Sequence, residues 1–312
     1  MDAIRFEGLT KSYGSVRALD GLNLTVPRGT VFGFLGPNGA GKTTTIRILT
    51  GLARAEGRAW VAGAEVTASR HHVACRIGHL PEEPAFYPWM TAAELIDHVA
   101  RVFGLAAADR ASRVGELLGQ VGLADVSQRR IGGFSRGMRQ RLGLAQALVN
   151  RPEVLFLDEP TSALDPGGRK EVLELIERLR GQCTVFMSSH ILADVERVCD
   201  TIGIVAKGKL VTQASREALA TRYAMPIFEL ETGPGQTAEL ARWAEALRPA
   251  PWIETVSVEG PTARIVVHDT AVAQRDLLPS ALGAGLVLTR YEMMRPSLEE
   301  VFLRLVNGDG RS

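Results

Sequence analysis

Short apolar runs and helical patterns alternate along the middle of this chain. Val31-Phe32-Gly33-Phe34-Leu35 precedes a helix opening at Lys42, Val154-Leu155-Phe156-Leu157 precedes a helix from Gly168 to Arg180, and Thr184-Val185-Phe186-Met187 precedes one from Ile191 to Val198. Runs that are apolar at every position predict strands covered on both faces, the mark of a parallel sheet between layers of helices. Ile4-Arg5-Phe6 and Leu22 to Val26 alternate instead and predict half-exposed antiparallel strands. Ile202 to Val205 with Leu210-Val211 predicts a hairpin turning at Lys207-Gly208. These strands are expected to extend the sheet at its edges. Between about 91 and 150 the spacing becomes helical, with Leu95, Val99, Val102 and Phe103 in one series and Leu117, Leu118 and Val121 in another, which predicts an inserted helical subdomain.

After Thr221 the pattern starts afresh. Phe228-Glu229-Leu230, a helix from Thr237 to Leu247, Ile253 to Val258, Ala263 to Val267, a helix from Ala271 to Leu282, and Leu286 to Tyr291 follow in the order β-α-β-β-α-β of ferredoxin-like domains. The expected organisation is an α/β domain over 1–222 and an α+β domain over 226–306. Ser297-Leu298-Glu299-Glu300 predicts a last, capped helix, and 307–312 a frayed tail.

Composition narrows the class. A chain of 312 residues, 46% hydrophobic and with a formal net charge of +1, has room for two cores and carries no polybasic arm for nucleic acid. The basic cluster Arg129, Arg130, Arg136, Arg139 and Arg141 is expected to be a solvated face. Cys75, Cys183 and Cys199 form no CxxC pair, which points to reduced thiols in a cytosolic compartment. The first residues lack a secretory pattern, and no run of about eighteen apolar residues predicts a membrane span.

The chemistry begins at Gly36-Pro37-Asn38-Gly39-Ala40-Gly41-Lys42-Thr43, which satisfies GxxxxGK[ST] between a predicted strand and a predicted helix and runs on into Thr44. Glycines let successive backbone N–H groups converge on a phosphate, the helix dipole adds positive potential, Lys42 reaches the β- and γ-phosphates, and Thr43 offers an oxygen to Mg²⁺. The strand Val154 to Leu157 then delivers Asp158-Glu159 at its C-terminal end, where open α/β sheets place ligands. Asp158 is expected to hold Mg²⁺, and Glu159 to orient and deprotonate an attacking water. None of the four asparagines is followed by Lys, so no guanine-reading motif competes with ATP.

Further motifs resemble the nucleotide-binding subunits of ABC transporters. Phe134-Ser135-Arg136-Gly137-Met138 stands where that family carries LSGGQ, with only Ser135 and Gly137 unchanged. Ser162-Ala163-Leu164-Asp165 resembles its D-loop, and His190 its switch histidine. Tyr13 matches the aromatic that stacks on adenine, and Glu82 takes the place of the Q-loop glutamine. Glu82 keeps a hard oxygen for Mg²⁺ but loses the amide donor and adds charge. The stretch Phe86-Tyr87-Pro88-Trp89-Met90 lies near the membrane partner in the family; packing into the helical subdomain is the equal alternative. The remaining five histidines, His71 and His72 among them, are expected to be solvated.

The resemblance, over about 4–215, implies a P-loop NTPase core with a mixed sheet, an antiparallel edge subdomain and a helical subdomain. It implies an ATPase needing Mg²⁺, working as a head-to-tail homodimer with a transmembrane permease, cytoplasmic and peripheral on the inner membrane face. In such a pair Ser135, Gly137 and Asp165 complete the partner's nucleotide site. Glu82, the Ser135 to Met138 variant and Arg295-Pro296-Ser297-Leu298-Glu299-Glu300-Val301-Phe302 resemble the ABC-2-type exporters. Two readings compete: a soluble ABC ATPase acting on ribosomes or nucleic acid, which would carry tandem domains or coiled coils, and a catalytically silent module, which would lack Glu159 or His190.

Overall fold

Two long antiparallel strands, β1 (Asp2–Tyr13) and β2 (Val16–Pro27), open the chain in the computed structural model, which describes residues 2–162, 164–222, 226–294 and 302. The strand β3 (Val31–Leu35) is buried at every position and leads into α1 (Lys42–Leu49). After β4 (Glu56–Val61), β5 (Ala64–Glu65), α2 (Arg70–Ala74) and β6 (Ile77–Leu80), the chain forms three helices, α3 (Ala92–Val102), α4 (Ala107–Gln120) and α5 (Arg136–Ala147). It returns through β7 (Val154–Asp158), α6 (Pro166–Arg178), β8 (Thr184–Ser189), α7 (Leu192–Val198), β9 (Thr201–Ala206) and β10 (Lys209–Ser215) to α8 (Arg216–Arg222).

The central sheet has the order β10-β9-β3-β8-β7-β6, parallel except where β10 pairs with β9. Phe186 on β8 anchors it, with ring centroids 5.3 Å from Phe32, 5.2 Å from Phe34 and 5.8 Å from Phe156. Such pairs add about 0.5–1.5 kcal/mol each beyond the area they bury. All the parallel strands therefore end at the same edge, with their C-terminal residues side by side.

One expectation is corrected here. β1 and β2 do not extend this sheet; with β4 and β5 they form a second one, in the order β2-β1-β4-β5. Their alternation leaves one face wet, and a sheet covered on both sides has no place for such a strand. The dry face, carrying Ile4, Phe6, Leu22, Leu24 and Val26, packs with Phe32, Phe34, Ile46 and Leu49 in a shared core. The β9–β10 hairpin reaches into the same region. Lys207 (φ 49°) and Gly208 (φ 75°) supply the two positive φ angles that a tight hairpin turn demands. At Gly208 a Cβ would lie 2.7 Å from the Ala18 carbonyl oxygen. Its N–H donates to Ala40 O (3.3 Å) and its carbonyl accepts from Asp20 N (2.9 Å), so the hairpin tip is wedged between β2 and the loop before α1.

In the helical subdomain, Thr91 caps α3 in a reciprocal box with Glu94, each side chain accepting from the other's backbone N–H. Leu117, Leu118 and Val121 are buried. Val102 and Phe103 instead face outward, because the buried stripe of α3 is Leu95, Ile96 and Ala100.

The chain divides into two units between Arg216 and Glu217, within α8 and ahead of the boundary expected at 222. The second unit runs β11 (Ile227–Thr232), α9 (Thr237–Leu247), β12 (Ile253–Glu259), β13 (Thr262–Val267), α10 (Thr270–Gly283) and β14 (Leu288–Met294). Its antiparallel sheet has the order β12-β13-β11-β14, the ferredoxin-like arrangement, over a core that includes Phe228, Leu240, Trp243, Ile265 and Leu277. Ala163, Met225, the helix expected from Ser297, the rest of the 295–302 run apart from Phe302, and the tail over 307–312 lie outside the described residues.

Candidate nucleotide site

The loop between β3 and α1 is shaped by close approaches. Gly41, the residue before α1, has φ 103°, and a Cβ there would lie 2.7 Å from Ala18 O. Only glycine fits. No side chain caps α1, so its first N–H groups are open to an anion. Asn38, Gly39, Gly41, Lys42, Thr43 and Thr44 line a cavity of about 460 Å³ together with Ala18, Glu82, Glu159 and His190. Ala40 is buried behind it, and the Gly36 carbonyl accepts from Lys42.

Lys42 is held in the floor of this cavity. Its Nζ donates to Gly36 O (2.7 Å) and Pro37 O (3.3 Å) and lies 3.1 Å from Glu159 Oε1, with both side chains over 90% buried. The other Glu159 oxygen, Oε2, lies 2.8 Å from His190 Nδ1 and accepts from the His190 backbone N–H at 3.3 Å. One carboxylate thus joins Lys42 to His190. Glu159 also sits at φ 48°, a left-handed conformation that costs a non-glycine residue about 1–3 kcal/mol and marks a position held for its side chain.

Asp158 lies beside it. Its Oδ1 accepts from Thr43 Oγ1 at 3.2 Å and from Ser188 Oγ at 2.7 Å, while Ser188 Oγ accepts from Glu159 N at 2.9 Å. Ser188 stands opposite Asp158 in the parallel register of β7 and β8, and its hydroxyl fixes both acidic residues. Ser188 is a site residue that no motif singles out; its only signal in the sequence is a polar residue near the end of a largely apolar strand. Thr43 and Asp158 offer hard oxygens within hydrogen-bonding reach of each other, and Glu82 adds a carboxylate on the wall of the cavity that Thr43 also lines. That donor set suits Mg²⁺, which takes few carboxylates and completes its shell with phosphate and water. Among the described residues no group of three or more His, Cys, Asp or Glu gathers as a metal site, so a cation here would depend on oxygens from the nucleotide.

Other expected residues stand apart. Tyr13 is 47% exposed at the end of β1, with Lys11 Nζ 5.0 Å from its ring centroid, and does not line the cavity. Ser135 caps α5, its Oγ accepting from Met138 N at 3.2 Å. Gly137 in the first turn of α5 and Asp165 at the start of α6 are likewise absent from the cavity wall. Glu82 Oε1 accepts from Ser162 Oγ at 3.4 Å, linking it to the segment before Asp165.

One surface expectation is revised and two are sharpened. His79 is not solvated: it lies half-buried on β6, and burial lowers its pKa, with Asp158 opposing and Arg47 reinforcing the shift. The basic cluster is solvated in part, as expected: Arg129, Arg130 and Arg136 are exposed, while Arg139 and Arg141 are half-buried and donate to the carbonyls of Phe134 and Val121. Of the aromatic stretch, Tyr87 (53% exposed) and Trp89 (66%) face outward with their rings tilted against one another, centroids 5.1 Å apart, while Phe86 and Met90 are half-buried.

Comparison with known proteins identifies this geometry. Residues 19–162 match the family model described as ABC transporter, and residues 215–306 match that of the DrrA1-3-like ATP-binding protein C-terminal domain. The chain is 37% identical over 305 residues to an uncharacterised ABC transporter ATP-binding protein of Bacillus subtilis, covering 97% of this chain and 99% of that one. It is 36% identical over 317 residues to the daunorubicin resistance ATP-binding protein DrrA3 of Streptomyces coeruleorubidus, covering 99% and 97%. A solved ATP-binding subunit of an ABC transporter superposes with TM-score 0.65 at 26% identity, covering 71% of this chain and 93% of that one.

Proposed function

The chain belongs to the ATP-binding proteins of ABC transporters and is an ATPase of that family, and from that premise we propose that it powers export through a separate transmembrane permease, two copies closing head to tail around ATP and Mg²⁺. The observation that carries the proposal is the Lys42–Glu159–His190 constellation lining the P-loop cavity. Lys42 and the N–H groups of α1 bind the phosphates. Glu159 accepts a proton from the attacking water, and His190 holds that carboxylate in place. A Mg²⁺ held by Thr43, Asp158 and Glu82 would offset phosphate charge.

The cavity wall supports the sandwich by what it lacks. Ser135, Gly137 and Asp165 do not line it, and the open start of α5, with a hydroxyl and a glycine N–H, is suited to the γ-phosphate of a second copy. Among the described residues no helix is long and apolar enough to cross a membrane. The transport path therefore belongs to another polypeptide in this reading, with the ATPase held at the inner membrane face. The outward Tyr87–Trp89 pair offers that partner an apolar contact. Export is supported by the resistance role in the name of the Streptomyces relative. The ribosome or nucleic-acid reading is disfavoured, because relatives matched over nearly the whole chain are named as ABC transporter and drug-resistance ATP-binding proteins.

A complementation test reads the geometry. Lys42→Ala and Ser135→Arg should each abolish hydrolysis alone. Mixed, they should regain part of the wild-type rate, because one of the two composite sites then carries both defects and the other carries none. Wild-type hydrolysis by Ser135→Arg alone would exclude the head-to-tail sandwich.

A further inference from the structure

We propose that Asp194 is a positioning residue for ATP hydrolysis, one buried carboxylate that sets the Glu159–His190 contact and the start of α6 together. The inference rests on the reading of Glu159 as the base. Asp194 lies in the first turn of α7 with its side chain 1% exposed. Its two oxygens bind two different segments. Oδ2 accepts from Thr161 Oγ1 at 2.5 Å, and Oδ1 accepts from Arg169 Nε at 2.6 Å. Thr161, also buried, is two residues beyond Glu159; Arg169 is in the first turns of α6, where its N–H donates to Asp165 O at 2.9 Å.

A carboxylate removed from water needs full hydrogen-bond and charge compensation. Here Arg169 supplies the charge and Thr161 a second donor, so the bond directions are dictated as well as the energy. The consequence is spatial. Glu159 and Thr161 leave β7 on one side, and His190 and Asp194 leave β8 on the other. The Glu159–His190 contact closes the front of this gap, and the Thr161–Asp194 bond closes its rear. Releasing the rear bond lets the two exits drift, and the Glu159 carboxylate loses its fixed aim, while the Gly36 and Pro37 carbonyls still hold Lys42 and the α1 amides stay in place. Through Arg169 the same carboxylate holds the turn that presents Asp165, so the surface offered to a second copy moves with the base. Asp194 does not line the nucleotide cavity.

The test uses the full chain. Thr161→Val is isosteric and removes only the donor; Asp194→Asn removes the charge. Both should bind ATP within about twofold of wild type, and kcat should fall about tenfold, the scale expected when one charge-assisted hydrogen bond of about 1.5 kcal/mol is lost. Asp194→Glu, which restores the charge, should recover turnover in part. In a His190→Ala background Thr161→Val should add little further loss, because both changes release the same carboxylate. A kcat equal to wild type in folded Thr161→Val, or full multiplication of its loss with that of His190→Ala, would overturn the proposal. Should Thr161→Val slow turnover while Glu159→Gln does not, the base assignment fails and the positioning role loses its object, an outcome separable from failure of Asp194 itself.

Discussion

Replacing Glu159 by Gln tests how the empty cavity is held shut. The carboxylate is shared between Lys42 Nζ at 3.1 Å and His190 Nδ1 at 2.8 Å, and the Lys42–Glu159 pair is almost fully buried. A γ-phosphate arriving at Lys42 competes with Glu159 for the same ammonium group. Glutamine keeps the size but removes the negative charge, so the ion pair with the Lys42 ammonium group becomes a hydrogen bond charged on one side only, weaker by about 1–2 kcal/mol. The empty state loses about 1–2 kcal/mol of the competing interaction, so ATP should bind about 5–30-fold more tightly. Hydrolysis should fall by roughly 10²–10⁴-fold as the general base is lost. Isothermal titration with ATP and Mg²⁺ gives the first quantity and phosphate release the second. Size-exclusion chromatography should show an ATP-dependent dimer that persists in the variant and dissociates in the wild type. Turnover within about threefold of wild type would remove Glu159 from the base role; unchanged affinity would mean that Lys42 and Glu159 do not compete with phosphate.

Three further outcomes follow from burial. Because burial depresses the His79 pKa, the unfolded state binds more protons below the ordinary value, so stability holds above about pH 6.5 and declines as pH falls beneath it; His79→Gln should flatten that acid-side decline in urea midpoints, and an unchanged slope would contradict it. A thiol reagent on the native protein should label Cys75, which is exposed, and spare Cys183 and Cys199, whose pKa values are raised by burial, Cys183 to about 11; peptide mapping that finds Cys199 labelled before unfolding would refute this. Trp89→Ala with Tyr87→Ala should leave ATP hydrolysis by the isolated chain intact and stability within about 0.5 kcal/mol per site, yet abolish co-purification with the permease; undiminished co-purification would show that the aromatic pair is no docking surface.

How far the sequence could be read depended on whether neighbours in the chain are also neighbours in space. The P-loop was legible because strand, glycine turn, lysine and helix start are one continuous segment, and Asp158-Glu159 because an apolar strand can end in only one place in an α/β sheet. Sheet membership was less legible: alternation in β1 and β2 showed that one face is wet, but which strands they join is decided by the core they share with Phe32 and Ile46. His79 looked like the four other histidines set apart from His190 until β6 was seen lying beside β7. Asp194 left a faint trace, a carboxylate on the same buried face as Val195 and Val198, but its partners, Thr161 and Arg169, come from another segment and no spacing announces them. Surface aromatics were undecidable for the same reason, since exposure of Trp89 depends on what the rest of the fold leaves uncovered.

Hairpin tips are the usual place to splice an epitope tag or a fluorescent reporter, and the two units offer contrasting hosts. The Lys207–Gly208 tip is bonded on one side to Asp20 and on the other to Ala40, so an insertion there would pull the phosphate loop out of shape and should yield a folded chain that cannot retain nucleotide. At the β12–β13 tip, Gly260 has open space around it, and a reporter placed there should be silent. Anyone instrumenting this ATPase in living cells has a choice of handles, and the first of them is the keystone of the arch.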